Sequence, residues 1–131
     1  MARFKEFVPR GVIPATLLAF NEDYSINEKE TRRHLRHVAD VRGLAAITVN
    51  GHASEVHACT FDEQRRVLDI AQDEIGDRLP IINGVWADGS LEAARIAKMA
   101  TAGGASALLV FPPAPFTLGQ NAAMAIAHFK H

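Results

Sequence analysis

The chain has 131 residues and a mass of 14.2 kDa, which allows one domain with a modest core and leaves no room for two. Hydrophobic residues make up 48% of the sequence and charged residues 22%, a balance typical of a folded globular protein rather than a disordered one. The net charge of −1 supplies no basic stripe for nucleic acid, and no apolar run reaches the length of a membrane-spanning helix.

Four short apolar runs predict four β-strands. None of them alternates apolar with polar residues, so both faces of each strand are expected to be buried, as in a parallel sheet covered by helices. In chain order the predicted strands are Gly11–Leu18, Leu44–Val49, Leu79–Val85 and Ala105–Phe111.

Each run is followed by a segment with helical periodicity. Asn27 is predicted to cap the first helix, and Thr60 and Glu63 form the capping-box pattern that opens the second. Ser90 is predicted to cap the third helix, which Gly103-Gly104 ends, and the fourth begins at Gln120. The predicted inward residues of the first two helices are His34, Leu35, Val38 and Val41, then Val67, Ile70, Ala71 and Ile75, and the first helix turns Arg32, Arg33 and Arg36 to solvent.

The order β-α, repeated four times, favours a parallel α/β architecture. Two arrangements fit this order: a small doubly wound sheet, or the first half of a (β/α)8 barrel, which takes about 250 residues when complete. In both arrangements the functional residues belong in the loops that follow the carboxyl ends of the strands.

The loop Asn50–Cys59 carries most of the polar side chains at those ends. Gly51 is predicted to turn the backbone sharply, and the amides after it can form a nest that binds an anion. His52 is a candidate general acid or base, Ser54 offers a hydroxyl group, and Glu55 can orient either of them. The alternative interpretation is that Gly51 is a simple turn and Glu55 a solvated loop residue.

A metal site in this loop is a weaker alternative. The possible zinc ligands are His52, Glu55, His57 and Cys59, but their spacing matches no established ligand pattern. Cys59 is the single cysteine, which excludes an internal disulfide and favours a reducing, cytoplasmic location. The sequence has no dinucleotide or phosphate-loop motif, and we expect neither a cofactor nor a bound metal.

Several segments, in this order and spacing, resemble the dihydrodipicolinate synthase / N-acetylneuraminate lyase family. The loop Gly51–Glu55 stands where the family has Gly-Thr-Thr-Gly-Glu, and Thr60–Arg65 resembles the family's Leu-Ser-x-Glu-Glu-Arg helix start. The other similar segments are Phe20–Asn27, Leu79–Val85 and Ala105–Pro112.

The resemblance implies that residues 1–131 are a single partial (β/α)8-barrel domain of about four βα units, cut off in the fourth helix. It also implies a lyase of the class I aldolase type, in which a lysine forms a Schiff base with pyruvate or a related 2-keto acid. In the family, the Gly-Thr-Thr loop holds the carboxylate of the keto acid and a tyrosine shuttles protons. A half barrel exposes sheet edges, so we expect a homo-oligomer.

Only part of that site is present in this sequence. Gly51 and Glu55 match the family loop, and the amides of His52, Ala53 and Ser54 can still hold a carboxylate, although both threonine hydroxyls are replaced. The tyrosine position falls on Ala114 or Pro115, and the Schiff-base lysine would lie beyond His131. The resemblance thus implies a divergent aldolase or dehydratase that is inactive as 131 residues, with His52 and Glu55 as catalytic candidates. The competing hypothesis is a non-catalytic α/β module that binds a small acid or a partner through the same loop.

Overall fold

The structure, a computed structural model, describes residues 2–4, 6–114, 119 and 121–131. Helices and strands alternate along this part of the chain. They are α1 (Glu28–Ala39), β1 (Ile47–Val49), α2 (Phe61–Ile75), β2 (Ile81–Val85), α3 (Ser90–Ala102), β3 (Ala107–Val110) and α4 (Ala122–Phe129). Two single 3-10 turns, His52–Ser54 and Val56–Ala58, lie between β1 and α2.

The three strands form one parallel sheet in the order β1-β2-β3. Ile47 pairs with Ile81 across the first junction, and Ile82 pairs with Ala107 across the second. The main core lies between this sheet and the helices, with Leu35, Leu68 and Ile70 among its buried members. The predicted α/β fold with parallel βα units is confirmed.

The first predicted strand, Gly11–Leu18, is wrong as a regular strand. This segment runs parallel to residues 44–49 but pairs with them only at two isolated bridges, Val12 to Leu44, which precedes β1, and Ala15 to Thr48 in β1. Pro14 explains the interruption: its carbonyl accepts from the Thr48 amide at 2.9 Å, so residue 14 faces β1, where a proline has no N–H to donate.

The expectation that every strand is buried on both faces holds for the two inner strands only. All residues of β1 and β2 are buried. In β3, Leu108, Leu109 and Val110 are each exposed by more than a third, because no strand covers the outer side of β3 in the described part of the chain.

Two of the three predicted helix caps are confirmed. The Asn27 side chain accepts from the Glu30 amide at 3.1 Å, and Thr60 and Glu63 form a reciprocal capping box. The prediction for Ser90 is wrong: Gly89 is the N-cap of α3, and Ser90 is its first helical residue, whose hydroxyl lies 3.0 Å from Nδ1 of His128.

The inward stripe predicted for α2 is confirmed, since its four residues are all buried. In α1, Leu35 is buried and Val38 half-buried, but Val41 is 54% exposed because the helix ends two residues earlier, at Ala39. Arg32 is half-buried rather than fully in solvent, because it pairs with Asp73 and Glu74 on α2. Ion pairs therefore hold α1 against α2 at the rim of the core.

The fourth helix begins at Ala122 rather than at the predicted Gln120, which lies outside the described residues. The Asn121 side chain caps it by accepting from the Met124 amide at 3.1 Å. As predicted, Gly103 and Gly104 end α3. No helix in the described ranges is long and apolar enough to cross a membrane.

Candidate functional site

The chain turns at the carboxyl end of β1 through Asn50, not through Gly51 as predicted. Asn50 has a φ of 53°, whereas Gly51 is extended with φ −93° and ψ −177°. Asparagine tolerates the left-handed region better than most residues. The buried side-chain nitrogen of Asn50, Nδ2, donates to the backbone carbonyl of Gln64 and to Oδ1 of Asn83, both at 2.8 Å. These two hydrogen bonds fix the turn to α2 and β2.

Gly84 of β2 allows this turn to sit close to the sheet. A Cβ added at Gly84 would stand only 2.0 Å from the carbonyl oxygen of Asn50. No side chain fits at that distance, so glycine is required by the close approach of the two backbones. The loop after β1 therefore starts from a fixed position over the end of β2.

Both hydrogen-bond donors of Ser54 are bonded within the protein, so the Ser54 amide does not belong to the predicted anion-binding nest. The Ser54 amide donates to the carbonyl of Gly51 at 3.1 Å, and its hydroxyl donates to the carbonyl of Thr16 at 2.7 Å. Ser54 is buried and anchors the loop to the segment beside β1. The amides of His52 and Ala53 open the turn and have no acceptor within the described residues.

The His52 side chain is exposed and reaches across the end of the sheet. Its ring stacks on Phe111, with centroids 4.1 Å apart and an angle of 17° between the planes. Phe111 follows β3, and its amide donates to the carbonyl of Val85 at the end of β2. This stack joins the loop after β1 to the loop after β3.

The Glu55 side chain is exposed and makes no hydrogen bond to His52 or Ser54 in the described part of the chain. The expected orientation of those two residues by Glu55 is therefore not formed. Glu55 instead occupies the left-handed region, with a φ of 53°, between the two 3-10 turns. This conformation separates the amide-bearing turn from the second turn.

The four possible zinc ligands of this loop do not converge. Among the described residues, no group of three or more histidine, cysteine, aspartate or glutamate side chains is placed to hold a metal ion. Burial, together with the carboxylates of Glu63 and Glu55, raises the pKa of the Cys59 thiol, so the thiolate that a metal binds is disfavoured. The geometry gives the metal alternative no support.

A depression of about 290 Å³ lies on the outer side of the loop between the amino-terminal ends of α2 and α3. Trp86 is half-buried there, and its ring meets His57 edge-on at 6.2 Å. Trp86 thus lines an open surface rather than filling the core. Asp88 lies at the same rim and accepts from the Ala114 amide at 2.8 Å.

Neither of the two positions that the resemblance suggests for the family's tyrosine carries a tyrosine. Ala114 has only a methyl side chain, and the alternative position, Pro115, lies outside the described residues, as does Lys5. The remaining lysines are on helices or directly after one, and not at strand ends: Lys29 in α1, Lys98 in α3 and Lys130 directly after α4.

Several residues that shape the site were not predicted from the sequence. Asn50 had a detectable signal, because Asn-Gly after a strand commonly marks a left-handed turn. Phe111 and Thr16 had none, since their roles depend on segments far away in the chain.

Residues 8–131 match the family model described as the dihydrodipicolinate synthetase family. The chain is 33% identical over 104 residues to an N-acetylneuraminate lyase of Clostridium perfringens, covering 79% of this chain and 36% of that protein. It is 36% identical over 105 residues to a 4-hydroxy-tetrahydrodipicolinate synthase of Salinibacter ruber, covering 79% of this chain and 34% of that one.

Solved structures give the same result. CdNal of Clostridium difficile, crystallised with mannosamine, has a TM-score of 0.83 and 28% identity over 92% of this chain and 41% of that chain. The dihydrodipicolinate synthase of Aquifex aeolicus has a TM-score of 0.82 and 26% identity over 92% of this chain and 40% of that chain. The chain thus spans about a third of the length of the curated relatives and matches part of a (β/α)8 barrel. It belongs to the dihydrodipicolinate synthetase family.

Proposed function

We propose that this chain supplies the first four βα units of a lyase barrel that acts on pyruvate or a related 2-keto acid. In this proposal residues 1–131 form one partial barrel domain, and the loop after β1 binds the carboxylate of the substrate. The observation that carries the proposal is the pair of adjacent amides, His52 and Ala53, that have no acceptor in the described ranges.

Two consecutive backbone amides suit a carboxylate, because each can donate to the anionic group without changing the fold. Their position supports this role, since they follow β1 at the end of the sheet where α/β folds bind ligands. The neighbouring Ser54 contributes rigidity rather than a donor, because its amide and hydroxyl are both engaged. The turn is therefore fixed before any ligand arrives, which lowers the entropy cost of binding.

His52 is proposed as the group that moves a proton near the bound keto acid. Its imidazole is exposed and positioned by the stack on Phe111, so it points over the end of the sheet towards β3. Histidine titrates near neutral pH and can both accept and donate a proton. Glu55, which is exposed beside it, is proposed to contribute negative charge at the rim.

The Schiff-base lysine is proposed to lie outside this chain, since the described lysines are on helices or directly after one. We expect the intact mass to stay at 14.2 kDa after incubation with pyruvate and borohydride. A reduced pyruvyl adduct on this polypeptide would contradict that assignment. Carboxylate binding without an adduct is also what the non-catalytic binding module predicts. The partial-lyase hypothesis is distinguished from it by a longer chain that forms an imine with pyruvate.

Carboxylate binding is tested by titrating the isotopically labelled chain with pyruvate and following its backbone amide resonances. The His52 and Ala53 amides are expected to shift most, and acetone, which has the ketone but no carboxylate, is expected to leave them unchanged. Equal shifts with acetone, or no shift with pyruvate, would disprove the proposed loop.

A pair of variants at one position isolates the donor. Ala53→Pro removes the amide hydrogen at an early turn position, where proline is tolerated, whereas Ala53→Gly keeps the hydrogen. Binding of pyruvate is expected to weaken at least about five-fold in the proline variant, the effect of losing a hydrogen bond worth about 1 kcal/mol. The glycine variant is expected to bind nearly as well as the parent chain.

A further inference from the structure

Asn83 is a buried polar residue in the middle of an apolar strand. The other side chains of β2 are Ile81, Ile82 and Val85, and the exposure of Asn83 is 0%. Burying an amide costs stability unless its nitrogen and oxygen are hydrogen-bonded, a cost that an apolar side chain does not carry. The hydrogen bonds of Asn83, rather than its packing, therefore explain a polar residue at this position.

These hydrogen bonds are directed at the turn that leads into the loop after β1. Oδ1 of Asn83 accepts from Nδ2 of Asn50 at 2.8 Å, and Nδ2 of Asn83 donates to the carbonyl of Gly84 at 2.7 Å. The second bond fixes the orientation of the amide, because it turns the nitrogen towards Gly84 and the oxygen towards Asn50. Asn83 thus presents an acceptor to Asn50, and Gly84 beside it leaves room for the Asn50 carbonyl.

Stability alone does not account for this arrangement. Oδ1 of Asn50 is buried and has no hydrogen-bond partner within the described ranges, and the same holds for Oε1 of Gln64, whose backbone carbonyl also accepts from Asn50. Asn50 in addition has a left-handed φ of 53°. Buried polar atoms without partners and residues in sparsely populated conformations cluster at ligand-binding turns, where the surrounding structure holds them in place.

The two open amides of the loop lie between two buried attachments. Asn50, two residues before His52, is held by Asn83. Ser54, directly after Ala53, is held by the hydrogen bond from its hydroxyl to the segment beside β1. A short segment fixed at both ends has few conformations left, so the directions of the His52 and Ala53 amides depend on both attachments.

We infer that Asn83 is a positioning residue for this loop: it acts through Asn50 on the direction of the His52 and Ala53 amides and does not itself contact the substrate. The inference rests on the proposed binding of a carboxylate by these amides. Donors that are already oriented bind an anion more tightly than mobile ones, because less entropy is lost when the anion binds. A buried residue of β2 thereby contributes to the affinity of a site that follows β1.

The first test compares Asn83→Ala with Ile81→Ala, a truncation two residues earlier on the same face of β2. Asn83→Ala is expected to weaken pyruvate binding about three- to five-fold, close to the effect of one lost hydrogen bond. Ile81→Ala removes buried methyl groups far from the loop and is expected to leave the affinity unchanged. An unchanged affinity in Asn83→Ala, or an equal loss in both variants, would overturn the inference.

A second variant tests the route through Asn50. Asn50→Gly keeps the left-handed turn but removes the side chain that Asn83 holds, and a similar loss of affinity for pyruvate is expected. Adding Asn83→Ala to Asn50→Gly is expected to cause little further loss, whereas the losses of independent residues multiply. Multiplying losses would overturn the route. If Asn83→Ala does not fold, an unchanged affinity in Asn50→Gly overturns the inference by itself.

A measurement without ligand separates this inference from the proposed function. Backbone amide relaxation reports the fast motion of the His52 and Ala53 amides, which is expected to increase in Asn83→Ala and to stay at the parent level in Ile81→Ala. If the parent chain does not bind pyruvate, the proposed carboxylate site is wrong, and increased motion would still support positioning by Asn83. Unchanged motion in Asn83→Ala would overturn the inference whether or not pyruvate binds.

Discussion

The two inner strands of the sheet are packed on both faces, whereas its two outer extended segments are open to solvent. β1 and β2 bury every residue, while β3 and residues 12–17 expose several apolar side chains by more than a third. All four segments are apolar and of similar length. Burial of a strand in this molecule therefore depends on having a neighbouring strand on each side, because an apolar strand at an edge remains only half covered.

The largest expected effect comes from truncating a side chain in each region. Ile81→Ala in β2 is expected to lower the free energy of unfolding by about 2–5 kcal/mol, because it removes fully buried methyl groups and leaves a cavity. Leu109→Ala in β3 is expected to cost less than about 1.5 kcal/mol, because its side chain is partly exposed and leaves no closed cavity. Urea denaturation of both variants measures the difference. Equal losses would show that β3 is covered in solution.

A methyl group added to the inner region is expected to have the next largest effect. Gly84→Ala would place its Cβ 2.0 Å from the Asn50 carbonyl oxygen, so the backbones of β2 and the loop must separate. We expect Gly84→Ala to lower the free energy of unfolding by about 1–3 kcal/mol and to shift the amide resonances of His52 and Ala53. Gly89→Ala is the control, since nothing lies within 4 Å of its added Cβ. A fully stable Gly84→Ala protein would contradict the close approach.

Helix capping gives a smaller contrast between α2 and α3. Thr60→Ala removes the capping box at the start of α2 and is expected to cost about 1 kcal/mol in thermal or urea unfolding. Ser90→Ala removes no cap from α3, because Gly89 is the N-cap, and is expected to cost less. If Ser90→Ala proves the more damaging change, the Ser90 contact with His128 is more important to α4 than the cap is to α2.

The smallest expected effect is a pH dependence at the rim of the inner core. Hydrogen bonds from Arg36 and Arg32 lower the pKa of Glu74, with burial opposing them. Because the folded-state pKa is lowered, this stabilisation is complete above about pH 4.3, the ordinary glutamate pKa, and is lost as the pH falls through the folded-state pKa.

Glu74→Gln is therefore expected to reduce the fall in stability between pH 6 and pH 3 by a few tenths of a kcal/mol, the usual size for such a pair. Glu22→Gln, at an exposed glutamate with no ion pair in the described residues, is the control. Identical acid unfolding curves for Glu74→Gln and the parent chain would show that Glu74 does not contribute to the pH dependence of stability.

Much of the fold could be predicted because the relevant signals are local. Thr60 and Glu63 are three residues apart, so the capping box forms within the same turn that the pattern identifies. The stripe of α2 was equally clear, since its apolar residues recur at helical spacing. Ser90 was predicted wrongly because serine is favoured as a cap in general, whereas Gly89 already has the extended conformation that a cap requires.

Local sequence patterns were enough to predict the alternation of strands and helices, two helix starts and the family to which the chain belongs. It also located the loop after β1, because polar residues follow an apolar run there. The folded chain was needed to show that Asn50 makes the turn, that Ser54 is bound to Thr16, and that His52 stacks on Phe111. These contacts join segments that lie far apart in the chain, so no local pattern records them, and the exposure of each edge likewise depends on whether a neighbouring strand is present.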